Sequence, residues 1–409
     1  MRFATLFIWL VFLTTMAPAQ PYMDAQTRHR FAQLNFGADI RTFASGDRSY
    51  RATASGAILP FTTSPFTEAR LAIGGTHFWG HTDFYVAFPV AYTHTAGFAT
   101  GIETAAKVYP WRIGQHKLRP YAGLSYLSTS YRQDQGTTLV RNKLPLLTGV
   151  TLYHRQQLFD AGITWNYANQ YRYYITPGTQ VPVYGPPLAF SMGYKWMLET
   201  TLSAEKNWKN GNTQRLTDTL ARLHRLNGFT ITVAPSVAFF TRKSSRNIPL
   251  PFIDNHKISN IFCDMGIGYY LHRPDIQTGM VYRSYNSTLA AYGYTQYVRR
   301  RSVVAEGYRF FGDYHGFAPF IGPAVSYENL SVHESTPTTP RTSTRKTGIY
   351  PGIAFGWDIR PTRLQSFYLR GNFRYTPGLR VSMPMGGSIL FDALEVNFIQ
   401  LVIFPGRMF

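Results

Sequence analysis

The 409-residue chain has a formal net charge of +20, yet charged residues are only 15% of it, while aromatics reach 16% with 28 Tyr and 30 Phe. Globular chains are usually roughly 25% charged, and a surplus of tyrosine and tryptophan suits rings that meet an apolar phase at one end and water at the other. The single cysteine, Cys263, excludes a disulfide framework and a thiolate metal cluster; it falls on an apolar face with Ile261, Met265 and Ile267, as a buried inert thiol would.

The N-terminus carries Arg2, an apolar run from Ala4 to Met16 and the small-x-small pattern Ala17-Pro18-Ala19. This predicts a secretory signal peptide over residues 1–19, followed by a frayed polar segment over 20–30. No later run approaches the roughly 20 apolar residues of a spanning helix, so insertion into a membrane would have to be by strands. For a chain so exported, nucleic acid is excluded as the partner of the positive charge; anionic lipid headgroups are the natural one.

Period-two alternation, the mark of a strand, begins at Phe31–Phe43, where Leu34, Phe36, Ala38 and Ile40 oppose Gln33, Asn35, Asp39 and Arg41. A Ser/Thr/Gly/Pro-rich loop leads to Arg70–Trp79 and Phe84–Tyr92, joined at Gly80–Asp83. Next come Phe98–Trp111 and Leu118–Arg132, joined by Arg112–Lys117, then Pro145–His154 and Leu158–Tyr174 about the turn Arg155–Gln157. Leu188–Leu202 follows a Pro/Gly loop. Lys206–Leu226 breaks the rhythm: Leu216, Leu220, Leu223 and Leu226 recur at helical spacing, Asn212 is suited to cap and Asn227-Gly228 to terminate. The competing reading makes Asn210-Gly211 a hairpin turn.

Strands then follow at Phe229–Phe240, Ile258–Leu271, Asp275–Tyr285, Tyr292–Phe310, Gly316–Leu330, Ile349–Ile359, Gln365–Tyr375 and Ser388–Phe404. In the last pair, Phe367, Leu369, Phe373 and Tyr375 oppose Tyr368, Arg370, Asn372 and Arg374. Likewise Leu394, Val396, Phe398, Val402 and Phe404 oppose Glu395 and Asn397. The expected fold is all-β, a single antiparallel up-and-down transmembrane barrel over residues 31–409, of about sixteen strands, with fourteen also fitting. Short turns fall on one side and most long loops on the other, the Lys206–Leu226 insertion excepted. Segments Glu103–Leu127 and Glu306–Leu330 share a pattern ending in Pro120-Tyr-Ala-Gly123 and Pro319-Phe-Ile-Gly322, which reads as the common grammar of barrel hairpins rather than a repeat.

In these features the chain resembles Gram-negative outer-membrane β-barrel proteins over nearly its whole mature length, without matching a functional family among them. The resemblance implies short turns in the periplasm, outer-membrane lipid and lipopolysaccharide as surroundings, and a last strand read by the barrel insertion machinery. Phe409 is the expected terminal aromatic, but Pro405 and Arg407 interrupt the alternation, so Leu394–Phe404 is the alternative signal.

Alternation selects the lumen-side polar residues Glu103, Lys107, Asp160, Asn166, Lys195, Glu199, Asp264, Asp358, Arg370, Asn372, Arg374, Glu395 and Asn397. One ring of about sixteen strands would leave an aqueous channel, so a pore for small solutes lined by these charges is the leading expectation. The alternative is a network that fills the lumen or seats a plug, as in a structural or secretion-associated barrel. Arg370, Asn372 and Arg374 would pair with Glu395 and Asn397 on the adjacent strand.

Basic clusters at Arg242, Lys243 and Arg246, at Arg299, Arg300 and Arg301, and at Arg341, Arg345 and Lys346 are candidates for lipopolysaccharide phosphates. A periplasmic partner at the helical insertion is a further expectation. No Gly-x-Ser-x-Gly elbow occurs, and His77 and His81 straddle a strand end rather than a helix face. A barrel lipid-modifying hydrolase is therefore the less favoured alternative, and no catalysis, cofactor or metal is expected.

Overall fold

The computed structural model describes residues 32–52, 57–93, 98–132, 138–199, 212–242, 244–248, 250, 262–312, 317–336, 341–360, 363–384 and 386–408. The signal-peptide and frayed-terminus expectations, Lys243 and Phe409 lie outside them. Barrel strands are numbered here without the short loop hairpins.

Residues 1–206 and 207–409 form two compact units. In the first, β1 (Gln33–Phe43), β2 (Phe66–His77), β3 (Thr82–Tyr92), β4 (Phe98–Val108), β5 (Lys117–Arg132), β6 (Leu146–His154), β7 (Gln157–Trp165) and β8 (Leu188–Glu199) pair antiparallel with their neighbours in sequence. The ring closes where β1 meets β8, with Phe36 opposite Trp196 and Ala38 opposite Tyr194. In the second unit α1 (Asn212–Arg222) precedes β9 (Gly228–Phe240), β10 (Phe262–Leu271), β11 (Ile276–Ala291), β12 (Tyr294–Phe310), β13 (Phe317–Ser335), β14 (Thr342–Ile359), β15 (Phe367–Thr376) and β16 (Ala393–Ile403). These eight strands also close on themselves, Ile231 of β9 lying opposite Ile403 of β16.

The expectation of one ring of about sixteen strands is therefore corrected to two rings of eight. Every expected strand has a counterpart, although Leu158–Tyr174 leaves the ring at Trp165 and Ser388–Phe404 joins it only at Ala393; alternation and turn rhythm are local and look the same whichever strand completes the circle. Closure is decided by long-range pairings, between Gln33–Phe43 and Ala189–Glu199 and between β9 and β16. The Lys206–Leu226 insertion, an exception within one barrel, stands at the junction of two. Among its described residues Asn212–Arg222 is helical, in agreement with the helix expectation, but the helix stops short of Leu223 and Leu226, and Leu216 and Leu223 are exposed.

Faces follow the inverted pattern. Outward positions carry large exposed apolar side chains, among them Ile40, Leu71, Phe159 and Met192 in the first ring and Ile231, Met265, Met280 and Ile353 in the second. Buried inward positions carry Arg41, Glu103, Lys107, Arg283, Arg370 and Glu395. A soluble sheet protein does the opposite, whereas lipid-facing strands are apolar outside and polar within. Cys263 lies on the apolar face but is exposed rather than buried, because that face is the outside of the ring.

In β15 the faces are as the sequence predicts: Tyr368, Arg370, Asn372 and Arg374 point inward. In β16 the prediction holds only in part. Glu395 and Asn397 are buried inside, but Val402 and Phe404 are buried too, at 0% and 2% exposure. The register against β9 and β15 shifts between these halves of β16. Such an irregularity inserts a residue and exchanges the two faces beyond it.

One turn and one pair of close approaches need glycine. Tyr292 and Gly293 both have positive φ, 49° and 76°, joining β11 to β12 by a two-residue hairpin of the primed type. At Gly123 and Gly322 a Cβ would collide with the facing strand, against the carbonyl oxygens of Ala106 and Gly307. These two glycines mark the fourth-to-fifth strand hairpin of each ring. The shared pattern expected to be mere hairpin grammar thus occupies the same position in both.

Candidate functional site

An eight-strand ring has an interior just wide enough for side chains to fill, and here the filling is ionic. In the first ring Glu103 accepts from Arg41 at 2.7 Å and also contacts Arg70 and Ser125. Arg70 also reaches Asp39 at 2.7 Å. Lys107 pairs with Asp160, which accepts from the Tyr121 hydroxyl at 2.9 Å, and its ammonium sits 4.2 Å from the Tyr121 ring centre. Lys195 donates to Asp83 at 2.8 Å and lies 4.1 Å from the Tyr85 ring centre. A cavity of about 20 Å³ remains beside Arg41, Arg70, Lys107 and Lys195, about the space of one water.

In the second ring Arg370 forks onto Asp358 at 2.6 and 3.0 Å and also donates to Gln277 at 2.9 Å. Arg374 holds Glu306 at 2.7 Å and Asp264 at 2.5 Å, and Asn397 donates to Asp264 at 3.1 Å. Arg300 makes a bidentate pair with Glu328 at 2.7 and 2.6 Å. Glu395 is held by Arg283 and by Arg300, the latter at 3.1 Å. Buried charges are tolerable only when paired in this way.

Side chains pack over the long-loop end of each lumen and over the short-turn end of the second. At the long-loop end of the first ring, Phe43, Phe66 and Phe98 pack with Tyr171, Ile175, Val181 and Val183 from a loop hairpin. In the second, Leu379, Val381, Met383, Ile389 and Phe391 from the β15–β16 loop pack onto Val298, Leu330 and Val332. Arg246 ties this loop down through Glu334 at 3.1 Å and the Gly386 carbonyl at 3.2 Å. At the short-turn end Asp275 accepts from Arg363 at 3.2 Å and from the Tyr270 hydroxyl at 2.5 Å, with Arg360 at 3.5 Å. Burial opposes ionisation there, but the Arg360 and Arg363 guanidiniums outweigh it and hold the Asp275 carboxyl below the usual carboxylate range.

Most sequence-selected lumen residues are thus in the lumen: Glu103, Lys107, Asp160, Lys195, Asp264, Asp358, Arg370, Asn372, Arg374, Glu395 and Asn397. Asn166 instead follows the end of β7, where its N–H donates to the Pro187 carbonyl. Glu199 ends β8 opposite Gln33, and its side chain lies outside the described set. The expected pairing of Arg374 with Glu395 is corrected. Although the two are register partners on adjacent strands, their ion pairs run to other strands, β10 and β12 for Arg374 and β11 and β12 for Glu395. In so narrow a ring a long guanidinium reaches beyond its immediate neighbour. Arg41, Arg70, Asp83, Arg283, Glu306 and Glu328 were not selected from the sequence, although the same alternation places them inward.

The basic clusters divide. Arg300, expected outside, is buried at 1% exposure, because alternation sends the middle of three consecutive residues to the opposite face. Arg246 is likewise buried. Arg242 is exposed and 3.2 Å from Asp392, Lys346 donates to the Arg380 carbonyl at 2.7 Å, and Arg299, Arg301 and Arg345 stand on the outer face.

No family model and no curated protein matches the chain. Among solved structures it is similar to neisserial surface protein A, at 14% identity and TM-score 0.26, over 44% of this chain and 97% of that one. It is also similar to the attachment invasion locus protein Ail of Yersinia pestis, at 11% identity and TM-score 0.26, over 44% and 96%. An outer-membrane channel from Pseudomonas putida F1 aligns at 9% identity and TM-score 0.19, over 90% and 94%. By architecture the chain is an antiparallel β-barrel protein with an apolar outside and an ionic inside. Its apolar exterior, ionic interior and closed antiparallel rings are what lipid requires of a strand-built span, since every backbone group must pair within the ring.

Proposed function

We propose that this chain is an outer-membrane barrel and a non-conducting one, whose two rings are rigid lipid-embedded anchors with their long-loop ends at the cell surface. The observation that carries it is the paired, buried charge in both lumens, where cations and anions meet at hydrogen-bond distance among the described residues. A solute channel, natural to a ring of about sixteen strands, has no such room in a ring of eight. The loop hairpins packed over each mouth favour the same role. Among the described residues the buried lumen cations and anions nearly balance, so they account for little of the chain's +20 excess. The role assigned involves no catalysis.

The test is planar-bilayer recording of the refolded full chain. The expected trace shows membrane insertion without sustained unitary steps. Stable, voltage-independent open levels at neutral pH would contradict a sealed lumen and restore the channel.

A further inference from the structure

The outer wall of the second ring changes character abruptly between two cross-strand rows. Register places Tyr282, Val303, Tyr327 and Ile349 side by side across β11 to β14, and all four side chains are exposed. This is the last apolar row on the way from the short turns, and its two tyrosines are of the interfacial type. Directly beyond it lie Arg301 and Asn329 as register partners, and one row further Arg299, Ser331 and Arg345. The Arg345 Nε donates to the Asn329 Oδ1 at 3.1 Å, and Arg345 itself is exposed. Among the described residues Arg299 and Arg301 have no ion-pair or side-chain hydrogen-bond partner, and no carboxylate shares this face of the three strands. Strands lie about 4.8 Å apart and residues two apart along a strand about 7 Å. Three guanidinium groups therefore converge on a patch roughly the size of one phosphorylated sugar, at the depth where acyl chains give way to headgroups.

We propose that Arg299, Arg301 and Arg345, with Asn329, form a site on the outer wall of the second ring for the phosphate groups of an outer-leaflet glycolipid. It rests on placing this ring in an outer membrane with its short turns in the periplasm. Three features select a lipid phosphate over other anions. The guanidinium forks match phosphate oxygens bidentately. The patch opens sideways into the lipid rather than upward into water. The tyrosine row beneath it would lie against the same molecule's acyl chains.

The experiment uses the full chain refolded in detergent, with diphosphoryl lipid A as probe and fully dephosphorylated lipid A as its control, and binding read by native mass spectrometry. Folding of each variant is confirmed by its heat-dependent shift on gels. Arg299→Gln, Arg301→Gln and Arg345→Gln together should weaken diphosphoryl lipid A by about tenfold or more, the scale of losing charge-assisted hydrogen bonds. Arg309→Gln, which removes an exposed charge from the opposite end of β12, should change affinity less than twofold.

Equal affinity for the triple variant and the wild type, or an equal loss on Arg309→Gln, would overturn the site. So would full competition by inorganic phosphate at the lipid's own concentration, which would mark a free-phosphate site instead. Bilayer conductance of the same preparation separates the two proposals: selective lipid A loss in a conducting protein would support the site and contradict the sealed lumen.

Discussion

Asp358→Ala is the perturbation that asks whether the second lumen is dry. Asp358 is fully buried and takes both forks of Arg370, at 2.6 and 3.0 Å, with the Arg360 Nε a further 3.9 Å away. Removing the carboxylate leaves the Arg370 guanidinium, 1% exposed, with only neutral acceptors such as Gln277 at 2.9 Å and the Tyr368 hydroxyl at 3.2 Å. An uncompensated buried charge costs about 3–5 kcal/mol, whereas the same pair bathed in water would be worth only about 0–1 kcal/mol. Urea unfolding in lipid vesicles, followed by tryptophan fluorescence, reads the difference as a lower midpoint at unchanged slope. Replacing both partners, Asp358→Leu with Arg370→Met, should recover most of the loss, since an apolar pair of similar volume removes the desolvation cost as well. A loss below about 1 kcal/mol for Asp358→Ala, or a double variant as costly as the summed singles, would refute a dry, coupled lumen.

Three further outcomes are expected. The carboxyl of Asp275 is held below its unfolded value of roughly 3.9, so its contribution to stability is complete above that pH and is lost as pH falls through the folded value. Asp275→Asn should therefore destabilise at neutral pH and leave a flatter stability curve on acidification, which urea titrations from about pH 7 to pH 3 would record. Gly322→Val puts a side chain against the Gly307 carbonyl and the Tyr308 backbone; refolding yields should collapse, while Val303→Ile on the lipid face should refold as the wild type does. Deleting the loop hairpin over residues 380–390 should unseat its apolar contacts yet leave bilayers non-conducting, because the Arg300, Glu328 and Glu395 layer lies beneath.

The local structure was almost fully legible: alternation in Phe367–Tyr375 correctly sends Arg370 and Arg374 inward, and the short turns at His272–Asp275 and Arg155-Gln156 appear where the rhythm breaks. What escaped is long-range. A strand's own residues do not say which distant strand completes its ring, so Leu34 and Glu395 look the same in one barrel or two. The clue lay in the matching Gly123 and Gly322 hairpins, each the fourth-to-fifth connection of its ring. Within the site, the faces beyond the irregularity in β16 and the buried fate of Arg300 show two limits of alternation. It breaks where a residue is inserted, and it must be applied within a run of like charges rather than to the run as a whole.

Closure of the rings is tested most directly by cysteine cross-linking across the seams, in a Cys263→Ser background. Two-ring closure predicts that Phe36→Cys with Trp196→Cys, and separately Ile231→Cys with Ile403→Cys, form intramolecular disulfides under mild oxidation, because each pair is in register across a seam. A folded, heat-modifiable protein in which neither pair cross-links would contradict it, since in a single large ring those strands would have other neighbours.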